Sequence, residues 1–167
     1  MVNALKEAFP QIDENRCLEL LNKDFEVYDC EENKRCYLCE EDGDFKVLNP
    51  SQKEIGFIAV DKCLFFDDDE FKKCDCIVFD NSTICFVEIK NCKPKRRKNH
   101  KPNAIKQLKS TIEVFQKQIT INKKIEAYLC VGCSASHPSR TASSKNAQAE
   151  FLRDFNALLF DGCQKKF

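Results

Sequence analysis

The sequence has no apolar run of the length that spans a bilayer, roughly 18 residues or more, so no transmembrane helix is expected. Its start, Met1 to Pro10, carries Lys6 and Glu7 and lacks the apolar core of a secretion signal. Both absences point to a cytoplasmic protein with no membrane partner. Internal repeats and low-complexity segments are also missing, and 27 basic side chains cancel 27 acidic ones. At 167 residues the chain is too short for two domains of ordinary size, yet long enough for one with a sizeable core. A single domain over residues 1–167 is expected.

The charges that cancel overall do not cancel locally. Residues 1–80 hold 21 acidic and 10 basic side chains, whereas residues 81–167 hold 6 and 17. Such asymmetry suggests a dipolar molecule with a basic working face, unless the two sets interleave on folding. Twelve cysteines are present. Cys63, Cys76, Cys85 and Cys130 sit in apolar stretches, where cysteine behaves as a small hydrophobe. The CxxC pairs Cys36/Cys39 and Cys130/Cys133 lack a typical knuckle partner, so reduced thiols are expected rather than disulfides or zinc.

The stretch Cys74 to Lys90 organises the chain. Two β-branched and aromatic runs flank Asp80-Asn81-Ser82-Thr83, a compact turn signal. A two-residue Asn81–Ser82 loop pairs Asp80 with Thr83 and sets Asp75 directly opposite Glu88, with Lys90 on the Glu88 face. Both faces are otherwise apolar, as in central strands covered on two sides. Opposed carboxylates destabilise a hairpin unless something neutralises them. A divalent cation of the Mg²⁺ or Mn²⁺ type would do so, and Lys90 beside it could orient a water or offset developing charge. A plain salt bridge of Lys90 with both carboxylates at the sheet rim is the structural alternative.

These residues resemble the PD-(D/E)xK nuclease superfamily, which places an Asp at the start of one strand and Glu-x-Lys at the end of the next. Asp75 matches the first and Glu88-Ile89-Lys90 the second; Cys74 stands where the motif has Pro. Gln107-Leu108 on the following helix extends the likeness, which covers about residues 72–115. The resemblance implies an α/β fold of restriction-endonuclease type, a mixed β-sheet flanked by helices on both faces. Its core would span about 57–160, with residues 1–56 as an N-terminal helix and β-hairpin extension. It implies metal-dependent hydrolysis of phosphodiester bonds, with DNA favoured over RNA. Asp75, Glu88 and the Ile89 carbonyl would hold the cation, Lys90 would position the water, and Gln107 would reach back to the site. The superfamily often adds an acidic residue from its first helix; Glu19 is the first candidate and Glu14 the second, unless both are simply solvated. A chain this small is expected to act with another copy or a partner subunit, in a restriction or anti-phage setting by association. The rival is an inactive subunit of the same fold that binds nucleic acid or a partner protein.

Elsewhere the pattern gives an early helix over Arg16 to Lys23 and a strand over Phe25 to Cys30 with Phe25, Val27 and Asp29 on one face. A hairpin is expected from Arg35–Glu40 and Asp44–Leu48 around Glu41-Asp42-Gly43, followed by a β-rich run over Gly56 to Phe66. Asp67 to Glu70 reads as a solvated turn. After Lys90, six Lys/Arg fall within nine residues: Lys93, Lys95, Arg96, Arg97, Lys98 and Lys101. As a loop beside the carboxylates they would hold phosphates. Asn103 then caps a helix to about Gln118, with Ala104, Leu108, Thr111, Ile112, Phe115 and Ile119 as its stripe. Ile125 to Val131 reads as a strand parallel to the Glu-x-Lys strand. The polar stretch Gly132 to Ala147, with His137, Pro138 and Arg140, suggests a substrate loop. A final helix is expected over Ala147 to Phe160, and Lys165-Lys166-Phe167 as a tail.

Overall fold

In the computed structural model, residues 1–132, 140–141 and 145–167 are described. The chain is α/β with two mixed sheets. Two short helices come first, α1 (Val2–Ala8) and α2 (Gln11–Glu14). Strands β1 (Leu18–Leu21), β2 (Phe25–Cys30), β3 (Arg35–Cys39), β4 (Phe45–Leu48) and β5 (Ile55–Ala59) follow. The central hairpin is β6 (Cys76–Phe79) and β7 (Thr83–Lys90). A 3-10 turn (Pro94–Arg96) leads into α3 (Arg97–Gln118) and β8 (Lys124–Val131). The chain closes with β9 (Arg140–Thr141), α4 (Lys145–Phe155), β10 (Ala157–Asp161) and β11 (Gln164–Lys166).

The larger sheet runs β1-β5-β6-β7-β8-β10-β9 and the smaller one β11-β4-β2-β3. The β6–β7 register is the expected one: Phe79 faces Ile84 and Cys76 faces Val87, with the Asp80 amide on the Thr83 carbonyl. Asp80 Oδ1 accepts from the Ser82 and Thr83 amides at 2.8 Å, which is how an Asp closes a turn on itself. β8 lies parallel to β7, as expected of a strand–helix–strand crossover. Gly56 is required in β5, because a Cβ there would lie 2.3 Å from the Phe79 ring across the ladder.

Alternation sorts the strand side chains onto two faces. Phe86 meets Phe115 of α3 on one face, and Phe9, just after α1, packs on the same Phe115 ring. On the other face Tyr128 of β8 meets Phe45 of β4. The contacts thus cover one face with helix and the other with the second sheet, so helices on both faces are not what they display. The buried side chains form one cluster from Leu5 to Cys163. Between the sheets, buried Glu126 accepts from Tyr128 Oη (2.8 Å) and pairs with Lys165 (2.8 Å) and Lys124 (2.7 Å). Burial opposes its ionisation, but these donors outweigh burial and hold its pKa below the ordinary value.

Several expectations are corrected. Residues 16–23 are not helical: Arg16 takes a left-handed φ of 51°, ending α2, and Leu18–Leu21 pairs with β5. β3 and β4 do not pair with each other; each pairs with β2, which lies between them. The helix expected to run to Phe160 stops at Phe155. Asn156 adopts φ 50° with its amide on the Leu152 carbonyl, and Leu158 and Leu159 belong to β10, parallel to β8. The C-terminal tail is β11, parallel to β4. Asn103 lies within α3 rather than capping it, because the helix already starts at Arg97.

The thiols are corrected too. Cys17–Cys63 and Cys130–Cys163 are disulfides. The first forms because the turn after α2 brings Cys17 to the segment after β5, where its carbonyl takes the Ala59 amide. Cys36 and Cys39 sit three apart on β3 and so point to opposite faces. Cys133, His137 and Pro138 lie outside the described residues, as does the Arg140 side chain. Among the described residues no helix is long and apolar enough to cross a membrane.

Candidate active site

The β6–β7 register brings Asp75, Glu88 and Lys90 together at the open end of the hairpin. Asp75 sits one residue before β6, its amide on the Val87 carbonyl (3.1 Å) and its Oδ2 accepting from the Ile89 amide (2.5 Å). Lys90 Nζ stands 2.7 Å from Glu88 Oε1 and 3.7 Å from Asp75 Oδ2. Glu88 is fully buried, and neither carboxylate oxygen has a hydrogen bond of acceptable geometry, the Lys90 ammonium being close but poorly directed.

The electrostatics follow from that burial. Desolvation, then the Asp75 charge, raises the Glu88 pKa well above its usual range, and Lys90 offsets only part of this. Asp75 is pushed up to about 7, chiefly by burial, with Lys90 pulling the other way. Burial disfavours the Lys90 ammonium, but the two carboxylates outweigh it and raise its pKa. Burial thus holds both carboxyls toward their neutral forms, and a further positive charge beside them would favour the ionised pair.

Whether the donors fit a divalent metal can be tested on Glu88. Two buried oxygens without hydrogen bonds, beside a second carboxylate, are hard donors of the kind Mg²⁺ takes. Among the described residues no three Asp, Glu, His or Cys side chains converge closely enough to chelate one. Mg²⁺ retains several of its waters and needs only one or two carboxylates, so the pair is sufficient.

Helix α3 positions the segment that leads into Asp75. Gln107 Nε2 donates to the Lys73 carbonyl (2.8 Å), and its Oε1 accepts from Asn103 (2.6 Å). One turn on, Thr111 Oγ1 accepts from the Cys74 amide at 2.8 Å. Gln107 therefore clamps backbone two residues from Asp75 instead of presenting a free amide. Glu19 is corrected: exposed on edge strand β1, it lines a shallow groove with Lys23, Leu38 and Glu40, apart from the carboxylates. Glu14 is exposed on α2.

From Pro94 on the basic stretch is helical rather than a loop, and its cations divide into two sets. Arg97 pairs with Asp161 Oδ1 at 2.6 Å and Lys101 with Oδ2, fastening the first turn of α3 to the end of β10. These two are corrected as free phosphate contacts. Lys93, Lys95, Arg96 and Lys98 are exposed and make no ion pair with a described residue. The acidic turn is internally satisfied: Asp67 pairs with Lys62, and Asp69 Oδ2 caps the Phe66 amide (2.7 Å).

Two further carboxylates act on the site, Asp29 of β2 and Asp61 after β5; both have raised pKa values, first through burial. The alternation of β2 put Asp29 on the Phe25 and Val27 face, but nothing local showed that this face meets the hairpin. Compared with family models, with curated proteins and with solved structures, the chain has no match.

Proposed function

We propose that the chain is a metal-dependent nuclease that hydrolyses phosphodiester bonds in nucleic acid, with a restriction-endonuclease-like core formed by β6, β7, α3 and β8. The observation that carries this reading is Glu88, a fully buried carboxylate whose oxygens lack a hydrogen bond of acceptable geometry, set between Asp75 and the Lys90 ammonium 2.7 Å from Oε1. Asp75, Glu88 and the Ile89 carbonyl would hold Mg²⁺ or Mn²⁺. When bound, the cation supplies Lewis acidity and acidifies a water.

The rest is done by the chain. The Ile89 amide fixes Asp75, and Gln107 and Thr111 fix the backbone before it. Lys90, anchored on both carboxylates, positions the attacking water and offsets charge developing on phosphorus. Lys93, Lys95, Arg96 and Lys98 grip the nucleic-acid backbone without reading bases. DNA is favoured over RNA through the PD-(D/E)xK resemblance, and the same resemblance suggests action in the cytoplasm with a second copy or partner subunit in restriction or anti-phage defence. In a reducing cytoplasm the four paired sulfurs would be thiols.

The test is cleavage of plasmid, single-stranded DNA and RNA with Mg²⁺ or with chelator. Wild-type protein should cut only with metal, and Lys90→Ala should bind nucleic acid nearly as well while losing about two or more orders of magnitude in turnover. Cleavage by Lys90→Ala at the wild-type rate would sink the assignment. Binding without cleavage by the wild type would favour the second reading, an inactive subunit that binds nucleic acid or a partner; the Lys90 ion pairs with both carboxylates are the observation on its side.

A further inference from the structure

Two cations of the basic stretch are taken by one carboxylate. Arg97 Nη2 lies 2.6 Å from Asp161 Oδ1, and Lys101 Nζ holds Oδ2. The pairing leaves one positive charge over. It also leaves Arg97 Nε buried with no hydrogen bond among the described residues. The cluster is open to a solute, since the Arg97 side chain is 33% exposed and that of Lys101 24%.

Its place in the sheet ties the cluster to the carboxylate pair. Asp161 pairs with Leu129 and Leu129 with Glu88, so the three stand in one row across β10, β8 and β7. Their side chains share the face on which Phe86 meets α3. Two strand spacings put the Asp161 and Glu88 backbones roughly 10 Å apart. Gly132, whose amide donates to the Lys90 carbonyl (2.9 Å), runs so close to Arg97 that a Cβ there would lie 2.9 Å from Arg97 Cγ. The Arg97 stem thus borders the end of β7, where Lys90 emerges.

We propose that Arg97 and Lys101 form a subsite for a nucleic-acid backbone phosphate next to the one under attack, and that Asp161 fills it in the free protein and is displaced when the strand binds. This rests on the nucleic-acid reading above. Carboxylate and phosphate are oxyanions taken by the same donors, so the exchange strands neither cation. A guanidinium fork binds phosphate through two parallel N–H bonds, and a phosphate on that fork would engage the Nε that Asp161 leaves unbonded. The turn that carries both cations is also less firmly tied to the rest of α3, because Pro102 has no amide to offer the Lys98 carbonyl. The pair therefore differs from Lys93, Lys95, Arg96 and Lys98, which are open from the start.

The experiment is binding of a short single-stranded DNA to the full chain by fluorescence anisotropy across salt, with chelator present so that nothing is cut. Asp161→Asn keeps the side-chain volume and removes the competitor. A competitor that fills a site about nine-tenths of the time lowers apparent affinity about tenfold, so the variant should bind about tenfold more tightly. Arg97→Gln with Lys101→Gln should lower the salt slope by about 0.7 for the lost phosphate contact. Adding Asp161→Asn to that pair should change affinity by about twofold or less, because nothing is left to release. Wild-type affinity in Asp161→Asn would leave Asp161 as an anchor of α3 alone and overturn the proposal. An equal gain in both backgrounds would reduce the effect to one lost negative charge and overturn it too. A gain confined to the intact pair, in a protein that cleaves nothing with Mg²⁺, would sustain the subsite while removing the nuclease reading. Absence of binding in every variant would remove the nucleic-acid reading and this inference together. If Asp161→Asn does not fold, Lys101→Gln, which keeps the Arg97–Asp161 pair, should still flatten the salt slope, and an unchanged slope would overturn the proposal.

Discussion

Glu88→Gln should leave the metal-free protein at least as stable as the wild type and remove the stability that metal adds. The amide matches the carboxylate in volume, so no cavity opens around a side chain that is fully buried. Without metal the substitution removes a buried carboxyl whose raised pKa makes it a liability. A raised carboxyl pKa means that stability falls as pH rises past the group's unfolded value, so near neutral pH the carboxyl costs stability. Lys90 keeps Asp75 at 3.7 Å and is partly exposed, so it is not stranded. Replacing a buried ionic group by a neutral one of similar volume is commonly neutral or stabilising by about 1–4 kcal/mol, so the metal-free variant should melt at or above the wild type. Metal should act on the wild type alone. A cation at about a hundredfold its dissociation constant stabilises the fold by about 2.7 kcal/mol. In a domain of this size each kcal/mol moves Tm by about 2–4 °C, so the wild type should gain roughly 5–10 °C. The variant should gain almost nothing. Calorimetric melting at neutral pH, with chelator and with Mg²⁺ or Mn²⁺, gives all four values. A Glu88→Gln protein that gains as much from metal as the wild type would place the ion elsewhere and refute the site.

Replacing Lys93, Lys95, Arg96 and Lys98 by Ala should weaken nucleic-acid binding and flatten its salt dependence by about 0.9 of slope per lost phosphate contact; unchanged binding in a filter assay across salt would leave these four as mere solvated surface. Asp161→Asn, by contrast, should lower Tm, since it strands Arg97 and Lys101. Under oxidising conditions Cys63→Ser should cost about 4 kcal/mol in urea melts, because the Cys17–Cys63 bond closes a loop of 46 residues. Glu126 has a depressed pKa, so its stabilisation is complete above the ordinary carboxyl range and is lost as pH falls through that range and below; Glu126→Gln should flatten the acid limb of Tm against pH.

What sequence could show was what lies within a few residues of itself. The register of β6 and β7 followed from one turn, and with it came the meeting of Asp75, Glu88 and Lys90. The apolar stripe of α3 and the parallel β8 were equally local, one from helical spacing and one from crossover handedness. The misread segments depended on distant partners. Leu18–Leu21 fits a helical stripe or an edge strand, and pairing with β5 decides it. Leu158 and Leu159 continue the spacing of α4, and only the left-handed Asn156 breaks it. Arg97 and Lys101 looked free because Asp161 is some sixty residues away.

The β4–β11 pairing has a bearing on when this molecule becomes itself. Residues 46–48 lie beside 164–166, with Lys165 reaching buried Glu126 between the sheets. A ribosome-bound chain can close the β6–β7 hairpin and seat α3 long before residue 164 exists, since those contacts are local. The second sheet gains its outer strand, and Glu126 its Lys165 counter-ion, only at the end of that order. Contacts of such sequence separation form slowly. The carboxylate pair thus rests on local pairing, while the sheet packed against the opposite face closes only through contacts between distant parts of the chain, so a nascent chain holds the pair before its full surroundings.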